Sequence, residues 1–284
     1  MSKILLTGQT GFIGNYLSKL LIKNNFEVLS LTRSKTQNNF SENKLYKEVF
    51  FDINKKNNLD NILNEDIEGI IHLAWGNVKE INSESHLNFS VDVHYDFLLK
   101  LIKGGVKNIF VLGTCFEYGK IEGSISESIV PKPVTNYGKA KLQLHNRLIE
   151  LKSNYNFNLT WGRLFYVYGD GQKSTIYSQL LESIKNFDEK FDMSEGNQKL
   201  DYLSIDQVCK IIIKLYLKKS NLGCVNICSG KPIALWKQVE NWISENNSKI
   251  KLNRGAIPQR SHEPLSFWGN TSYLNKLLTS SDYL

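Results

Sequence analysis

Thr7-Gly8-Gln9-Thr10-Gly11-Phe12-Ile13-Gly14 lies between the apolar run Lys3–Thr7 and the stretch Phe12–Lys23, where Ile13, Leu17, Leu20 and Leu21 recur at helical spacing. This junction constrains the fold more than any other feature of the chain. Gly8 permits a tight turn. Gly11 lets the backbone approach a bulky anion with no Cβ in the way, and Gly14 lets the helix pack closely. The helix N-terminus then presents free N–H groups and partial positive charge to phosphate. The alternative is glycine at an ordinary strand–helix turn. A triplet in this context, however, is the pattern that a dinucleotide pyrophosphate needs. Gly8, Thr10, Gly11, Phe12, Ile13 and Gly14 are the expected contacts.

Strand and helix patterns go on alternating. Short apolar runs at Val28–Leu31, Val49–Ile53, Gly69–Ala74 and Asn108–Leu112 predict strands. Phe89, Val93, Phe97, Leu101 and Ile102 predict a helix between the last two. Tyr137–Leu151 reads as another helix and Leu159–Phe165 as the strand after it. The fold class is therefore α/β: a Rossmann-type doubly wound parallel sheet. Beyond Phe165 the rhythm changes at the turn cluster Gly169-Asp-Gly-Gln. Helices are expected at Tyr177–Ile184, Val208–Leu217 and Trp236–Ile243, with a strand at Val225–Cys228. Residues 1–168, with 203–229 returning, are read as the dinucleotide-binding domain. Residues 169–202 and 230–284 are read as a smaller C-terminal substrate-binding lobe. Asn/Lys-rich patches at 36–45 and 54–65 read as solvated loops or helix faces. A chain of 284 residues suits one domain with a small lobe built onto it.

Composition excludes several classes. Apolar residues make up 41% of the chain, enough for a sizeable core, so global disorder is not expected. No apolar run approaches the roughly 18–20 residues of a membrane span. The start lacks an export segment, which makes the cytoplasm the expected compartment. The net charge is +7, but the lysines are spread along the sequence. They read as a solvated basic surface rather than a nucleic-acid site, and they suit a phosphorylated small molecule. Cys115, Cys209, Cys224 and Cys228 form no metal-ligand spacing and are expected to be buried thiols.

Coenzyme choice is read at the end of the second strand, where NAD binders commonly carry an acid for the ribose hydroxyls. This chain has Leu31-Thr32-Arg33-Ser34-Lys35 there. A carboxylate would repel a 2′-phosphate, whereas Arg33 can pair with it bidentately. NADP(H) is thus favoured over NAD(H), held by Thr32, Arg33 and Ser34; an exposed loop arginine is the alternative. Asp52, beside Ile53, could accept from the adenine amino group or cap a helix.

Tyr137 and Lys141 stand at i and i+4, on one helix face. A neighbouring ammonium and a cationic oxidised nicotinamide both favour phenolate, so such a tyrosine can exchange a proton near neutrality. Lys141 can also hold the nicotinamide ribose. Thr114, at the carboxyl edge of the fifth strand, is placed to polarise a substrate carbonyl.

The chain resembles the extended short-chain dehydrogenase/reductases, in the epimerase/dehydratase branch that acts on nucleotide sugars. The resemblance rests on Thr7–Gly14, Asp52, His72-Leu-Ala74, Gly113-Thr-Cys-Phe-Glu-Tyr-Gly119, Tyr137/Lys141, Arg163-Leu-Phe-Tyr-Val-Tyr-Gly169, Asp201-Tyr202 and Asn226-Ile-Cys-Ser-Gly230. It implies Thr114, Tyr137 and Lys141 as the catalytic set. It also implies coenzyme contacts from Leu73, Ala74 and Trp75, and a C-terminal lobe that grips a nucleoside diphosphate. Relatives often form homodimers through two helices, here Leu87–Ile102 and Tyr137–Leu151; ordinary core burial of those faces is the alternative.

Departures from the family pattern narrow the reaction. The 4,6-dehydratases carry Asp-Glu just after the catalytic Thr, where this chain has Cys115 and Phe116. The 3,5-epimerase/4-reductases use a cysteine at the position of Phe116. Cys115 is one residue off and reads as a packed thiol. The 4-epimerases usually keep an acid at the second strand end. What remains is NADPH-dependent reduction of the C4 keto group of a nucleoside-diphosphate-4-keto-6-deoxysugar. The alternatives are a nucleotide-sugar 4-epimerase and a non-catalytic dinucleotide-binding sensor. Leu200 stands where the family has a diphosphate-binding arginine, so Lys199, Arg254 or Arg260 is expected to replace that charge. Tyr166 occupies a position where many relatives have Asn. The substrate set is Thr114, Cys115, Phe116, Tyr166, Gln172, Gln179, Phe191, Lys199, Arg254 and Arg260. The tail Glu263-Pro-Leu-Ser-Phe-Trp-Gly269 resembles reductases and synthases of 6-deoxysugars in bacterial surface polysaccharide pathways. Phe267-Trp268 reads equally as packing of the small lobe.

Overall fold

The computed structural model describes residues 3–33, 42–55, 58–258 and 265–278. Its first half alternates as the apolar runs predict: β1 (Lys3–Thr7), α1 (Phe12–Lys23), β2 (Glu27–Thr32), β3 (Tyr46–Phe50), a short α2 (Asp60–Leu63), β4 (Ile67–His72), α3 (Val91–Lys103) and β5 (Asn108–Thr114). Next come β6 (Gly123–Ile125), α4 (Asn136–Leu151), β7 (Asn158–Leu164), β8 (Tyr166–Tyr168), α5 (Ile176–Lys185), β9 (Lys190–Met193) and β10 (Lys199–Ser204). The remainder is α6 (Ile205–Leu217), β11 (Gly223–Ile227), β12 (Pro232–Ala234), α7 (Leu235–Glu245), β13 (Lys251–Arg254), β14 (Ser266–Gly269) and α8 (Ser272–Leu277).

Seven strands pair in parallel in the order β11-β7-β5-β4-β1-β2-β3. The chain steps outward in both directions from β1 and β4, so the loops after these two strands diverge and leave a crevice at the carboxyl edge. One face is covered by α1 and α6, whose Leu17, Leu21, Val208, Ile212 and Ile213 share a core with Ile4 and Leu6. On the other face lie α3 and α4, whose Phe97, Leu101, Leu144 and Leu148 pack with Leu5, Ile70, Val111 and Trp161. With both faces buried, the inner strands read as unbroken apolar runs. Strand β3 lies at the edge and is only partly buried, and the charged pair Lys47-Glu48 interrupts it, so its first residues carry little apolar signal. It spans Tyr46–Phe50 rather than the expected Val49–Ile53.

A second sheet, β12-β10-β14-β6 with β8 paired to β10, carries the small lobe. The tail, which the pattern gave no strand, supplies β14, and Phe267 stacks on Phe165 at 5.1 Å between ring centroids. Phe267 is thus a packing residue. Strands β9 and β13 pair with each other, while α5 and α7 bury Leu180, Val239 and Trp242 against Phe191 and Met193. Asp201 ties these pieces together. Its buried carboxylate accepts from the backbone N–H of Ser229 (2.6 Å), Gly230 (2.9 Å) and Gly269 (3.2 Å). No helix among the described residues is long and apolar enough to cross a membrane.

Candidate active site

The glycine loop sits at the carboxyl edge of β1. Gly8 has φ +79°, and a Cβ there would meet the backbone of Leu73 and Ala74 at 2.8–2.9 Å, so this glycine sets the spacing between the loops after β1 and β4. A Cβ on Gly14 would strike Gly8 O and come within 2.7 Å of the Gln9 Cα. Gly14 therefore seats α1 under the loop. A Cβ on Gly11 would meet nothing closer than Gly8 O at 3.2 Å, leaving that side open to a ligand. Helix α1 has no side-chain cap and no acid in its first turn, so its leading N–H groups and positive dipole end stay available. These features fit a dinucleotide pyrophosphate. Gly14→Ala is expected to cost about 1–3 kcal/mol through overpacking and to weaken coenzyme binding. Urea unfolding and coenzyme fluorescence titration check both effects.

Thr32 ends β2 with its side chain buried, and Arg33 follows, exposed. Ser34 lies outside the described residues. Asp52 sits beyond β3 and accepts from the Asn54 N–H at 3.1 Å, an Asx-type turn, with Ile53 inside that turn.

Thr114 closes β5 and caps the short turn that follows. The Phe116 N–H donates to its Oγ1 at 3.3 Å, and its own N–H donates to Glu117 Oε1 at 2.9 Å. Glu117 is completely buried. It also accepts from the Trp161 indole at 2.9 Å and pairs with Arg163 Nε at 2.8 Å. Gly113 leaves room for Glu117 and Trp161, because a Cβ would fall 2.6 Å from Glu117 Oε1. Gly138 does the same for α4, since a Cβ would fall 2.6 Å from Phe116 O. The helix carrying Tyr137 is thereby pressed onto the turn carrying Thr114, with Phe116 of that turn edge-on to the Tyr137 ring. The role of Glu117 was missed, although Thr114-Cys-Phe-Glu117 is a capping-box spacing that could have revealed it.

Tyr137 and Lys141 stand one turn apart on α4, as their spacing predicts. Burial raises the Tyr137 phenol above its ordinary range, Glu117 and Cys115 raise it further, and the Thr114 side chain opposes them. The Lys141 amine is instead spent on other partners. It donates to Leu112 O at 2.8 Å and lies 4.0 Å from the Trp75 ring centroid, against 6.0 Å from that of Tyr137. Burial lowers its pKa to about 7, opposed by Glu117.

Behind this pair lies an aromatic and imidazole cluster that the sequence did not announce. Trp75 stacks on His94 at 4.6 Å and 10°, and its indole donates to His86 Nδ1 at 3.2 Å. His72 bonds Thr7 Oγ1 and His94 Nδ1, each at 2.8 Å. Burial lowers both His72 and His94, the latter to about 3, so both are neutral at physiological pH. Leu73 and Ala74 precede Trp75, and the Ala74 N–H donates to Thr7 Oγ1 at 3.2 Å.

A cavity of about 430 Å³ opens in the small lobe among β8, α5, β9, β10 and α7. Tyr166, Gln172, Gln179 and Phe191 line it, together with Tyr168, Tyr202 and Trp242, which sequence reading missed. Thr114, Tyr137 and Lys141 do not line it; Phe165, which does, packs near Tyr118 of the turn after Thr114. Phe116 stands edge-on to Tyr137 at 6.3 Å. Cys115 is buried in the cluster with Tyr118, Phe165 and Leu200, its thiol pushed up to about 12 by burial, and it does not line this cavity. Neither expected cation lines the cavity. Strand alternation turns Gln198 and Leu200 inward and leaves Lys199 exposed. Arg254 is turned to Glu195 O (3.1 Å), Asn197 (3.0 Å) and the Trp236 face. Arg260 lies outside the described residues.

Residues 4–228 match the NAD dependent epimerase/dehydratase family. The chain is 32% identical over 270 residues to a dTDP-6-deoxy-L-talose 4-dehydrogenase (NAD(+)) of Aggregatibacter actinomycetemcomitans, covering 94% of this chain and 98% of that one. It is 27% identical over 294 residues to a CDP-abequose synthase of Salmonella muenchen, covering 99% and 93%. A solved UDP-N-acetylglucosamine 4-epimerase from Methanobrevibacter ruminantium M1 shares the fold, with a TM-score of 0.86 at 19% identity over 98% of this chain and 92% of that one. By its glycine cradle, its sheet order and the match over most of its length, the chain belongs to the NAD dependent epimerase/dehydratase family.

Proposed function

We propose that this protein is an NADP(H)-dependent oxidoreductase that interconverts keto and hydroxyl at C4 of a nucleoside-diphosphate 6-deoxysugar, working in deoxysugar biosynthesis. The observation that carries the reading is the seating of the Tyr137 helix, through Gly138, against the turn that follows Thr114 at the carboxyl end of β5, in a chain with no acid at the two positions after Thr114. Two curated relatives over nearly the whole chain are named for 6-deoxytalose 4-dehydrogenation and abequose synthesis, which supports the sugar class.

In this reading Gly8–Gly14 and the first turn of α1 hold the coenzyme pyrophosphate, and Lys141 holds its nicotinamide ribose. Bound NADPH supplies the hydride. Thr114 Oγ1 and the Tyr137 hydroxyl share the C4 oxygen, and Tyr137 donates its proton as that oxygen gains charge. Having no carboxylate at the positions of Cys115 and Phe116, the site lacks the acid pair for eliminating water across C5 and C6, so its substrate arrives already deoxygenated at C6. The cavity beyond Tyr166 takes the nucleoside end, with Tyr202 and Trp242 offering ring faces and Gln172 and Gln179 offering amides.

Arg33, exposed at the end of β2 with no acid beside it, supports NADP(H). The talose relative is named for NAD(+), which makes coenzyme choice a sharp test. Purified protein offered dTDP-, CDP-, GDP- and UDP-4-keto-6-deoxysugars is expected to oxidise NADPH at least about tenfold more efficiently than NADH, with Arg33→Ala erasing that margin. NADPH left untouched with every sugar would sink the reductase. Equal use of both coenzymes would sink the Arg33 assignment. Sugar interconversion without net coenzyme consumption would identify a 4-epimerase instead.

A further inference from the structure

We infer that Trp75 is the positioning residue for Lys141: its indole, fixed by His86 and His94, carries the amine on its face and sets where Lys141 meets the coenzyme. The inference rests on the reading of Lys141 as a coenzyme ligand. Trp75 follows β4 directly after Ala74, in a loop whose backbone a Gly8 Cβ would strike. Its plane is fixed twice. An indole N–H only donates, so His86 Nδ1 accepts at 3.2 Å. The His86 proton then sits on Nε2 and is donated to Glu80 O at 3.1 Å. His94 fixes the ring face by stacking at 4.6 Å, and is itself tied through Nδ1 to His72 at 2.8 Å.

Against this fixed surface the Lys141 amine lies 4.0 Å from the ring centroid, within cation–π range. Among the described residues it donates to Leu112 O at 2.8 Å. A carbonyl below and a π face beside it leave the remaining N–H groups to reach a ligand. A flexible four-carbon stem would otherwise roam. The ionisable groups around the amine are Glu117 from the turn after β5, Tyr137 one turn earlier on α4, His72 from β4 and His94 from α3. Both imidazoles are neutral, so the indole supplies attraction where no second carboxylate stands.

Two measurements test this. The first needs no coenzyme. The difference in tryptophan emission between the native protein and Trp75→Phe is expected to change between about pH 6 and 9 as the amine titrates, and to lose that change in Lys141→Met. A flat difference, or one unaltered by Lys141→Met, overturns the contact. In the second, Trp75→Leu is expected to weaken NADPH binding about tenfold, with Trp75→Phe recovering a large part. Loss of melting temperature with an unchanged NADPH dissociation constant overturns the positioning role. Neither measurement uses a sugar nucleotide. A protein that passes both yet reduces no keto sugar refutes the substrate assignment and leaves Trp75 standing.

Discussion

Tyr137→Phe is expected to lower the reductive turnover number about 10²- to 10⁴-fold, the range for losing a positioned general acid, while NADPH affinity changes less than about threefold. The variant keeps the ring that meets Trp75, His86 and Phe116, so folding is spared and only the proton donor is lost. The phenol's surroundings set the pH profile. Burial and the Glu117 and Cys115 charges hold it above the ordinary value of 10.0. A raised acid stays protonated across neutral pH, so reduction is expected to hold through that range and to fall only on the alkaline side. Stopped-flow single turnovers at a series of pH values check this. An alkaline limb that persists unchanged in Tyr137→Phe would assign it to another group.

The second large effect lies one layer deeper. Glu117→Ala removes the partner of Arg163 in a pair whose side chains are 0% and 3% exposed. Leaving a guanidinium buried and unpaired is expected to cost about 3–5 kcal/mol in chemical denaturation. Combining Glu117→Leu with Arg163→Met is expected to return most of that, because the desolvation of both charges disappears with them. Glu117→Gln is the gentler probe. It keeps an acceptor for the Thr114 N–H and removes the charge that raises Tyr137, so the alkaline limb is expected to move toward lower pH. An unmoved limb would show that burial alone sets the phenol.

Much of this molecule was legible before any coordinates. The glycine loop, the alternation of buried runs with helical spacing, and Tyr137 with Lys141 all announce themselves, because a sheet covered on both faces leaves uninterrupted apolar segments and a helix leaves a stripe. The bounds of Tyr46–Phe50 escape the pattern because this edge strand is only partly buried and carries Lys47-Glu48, and the three-residue strands Tyr166–Tyr168 and Pro232–Ala234 are too short to show a period. Residue type alone does not place a cation in the small-lobe cavity. Strand parity, which turns Leu200 inward and Lys199 outward, was not consulted. The Tyr137–Lys141 pairing was read from spacing alone. Spacing gives a shared face but not the carbonyl and the indole that compete for the amine.

The carboxylate of Asp201, on β10, gathers amide hydrogens from two stretches of chain far apart in sequence: the bend after β11, through Ser229 and Gly230, and β14, through Gly269. The small lobe is consequently completed only when the tail arrives. A nascent chain halted before Ser266 would carry a desolvated anion lacking one donor and a sheet lacking the strand between β10 and β6. The seven-stranded sheet, by contrast, takes all of its strands from residues before 228 and needs nothing from β14.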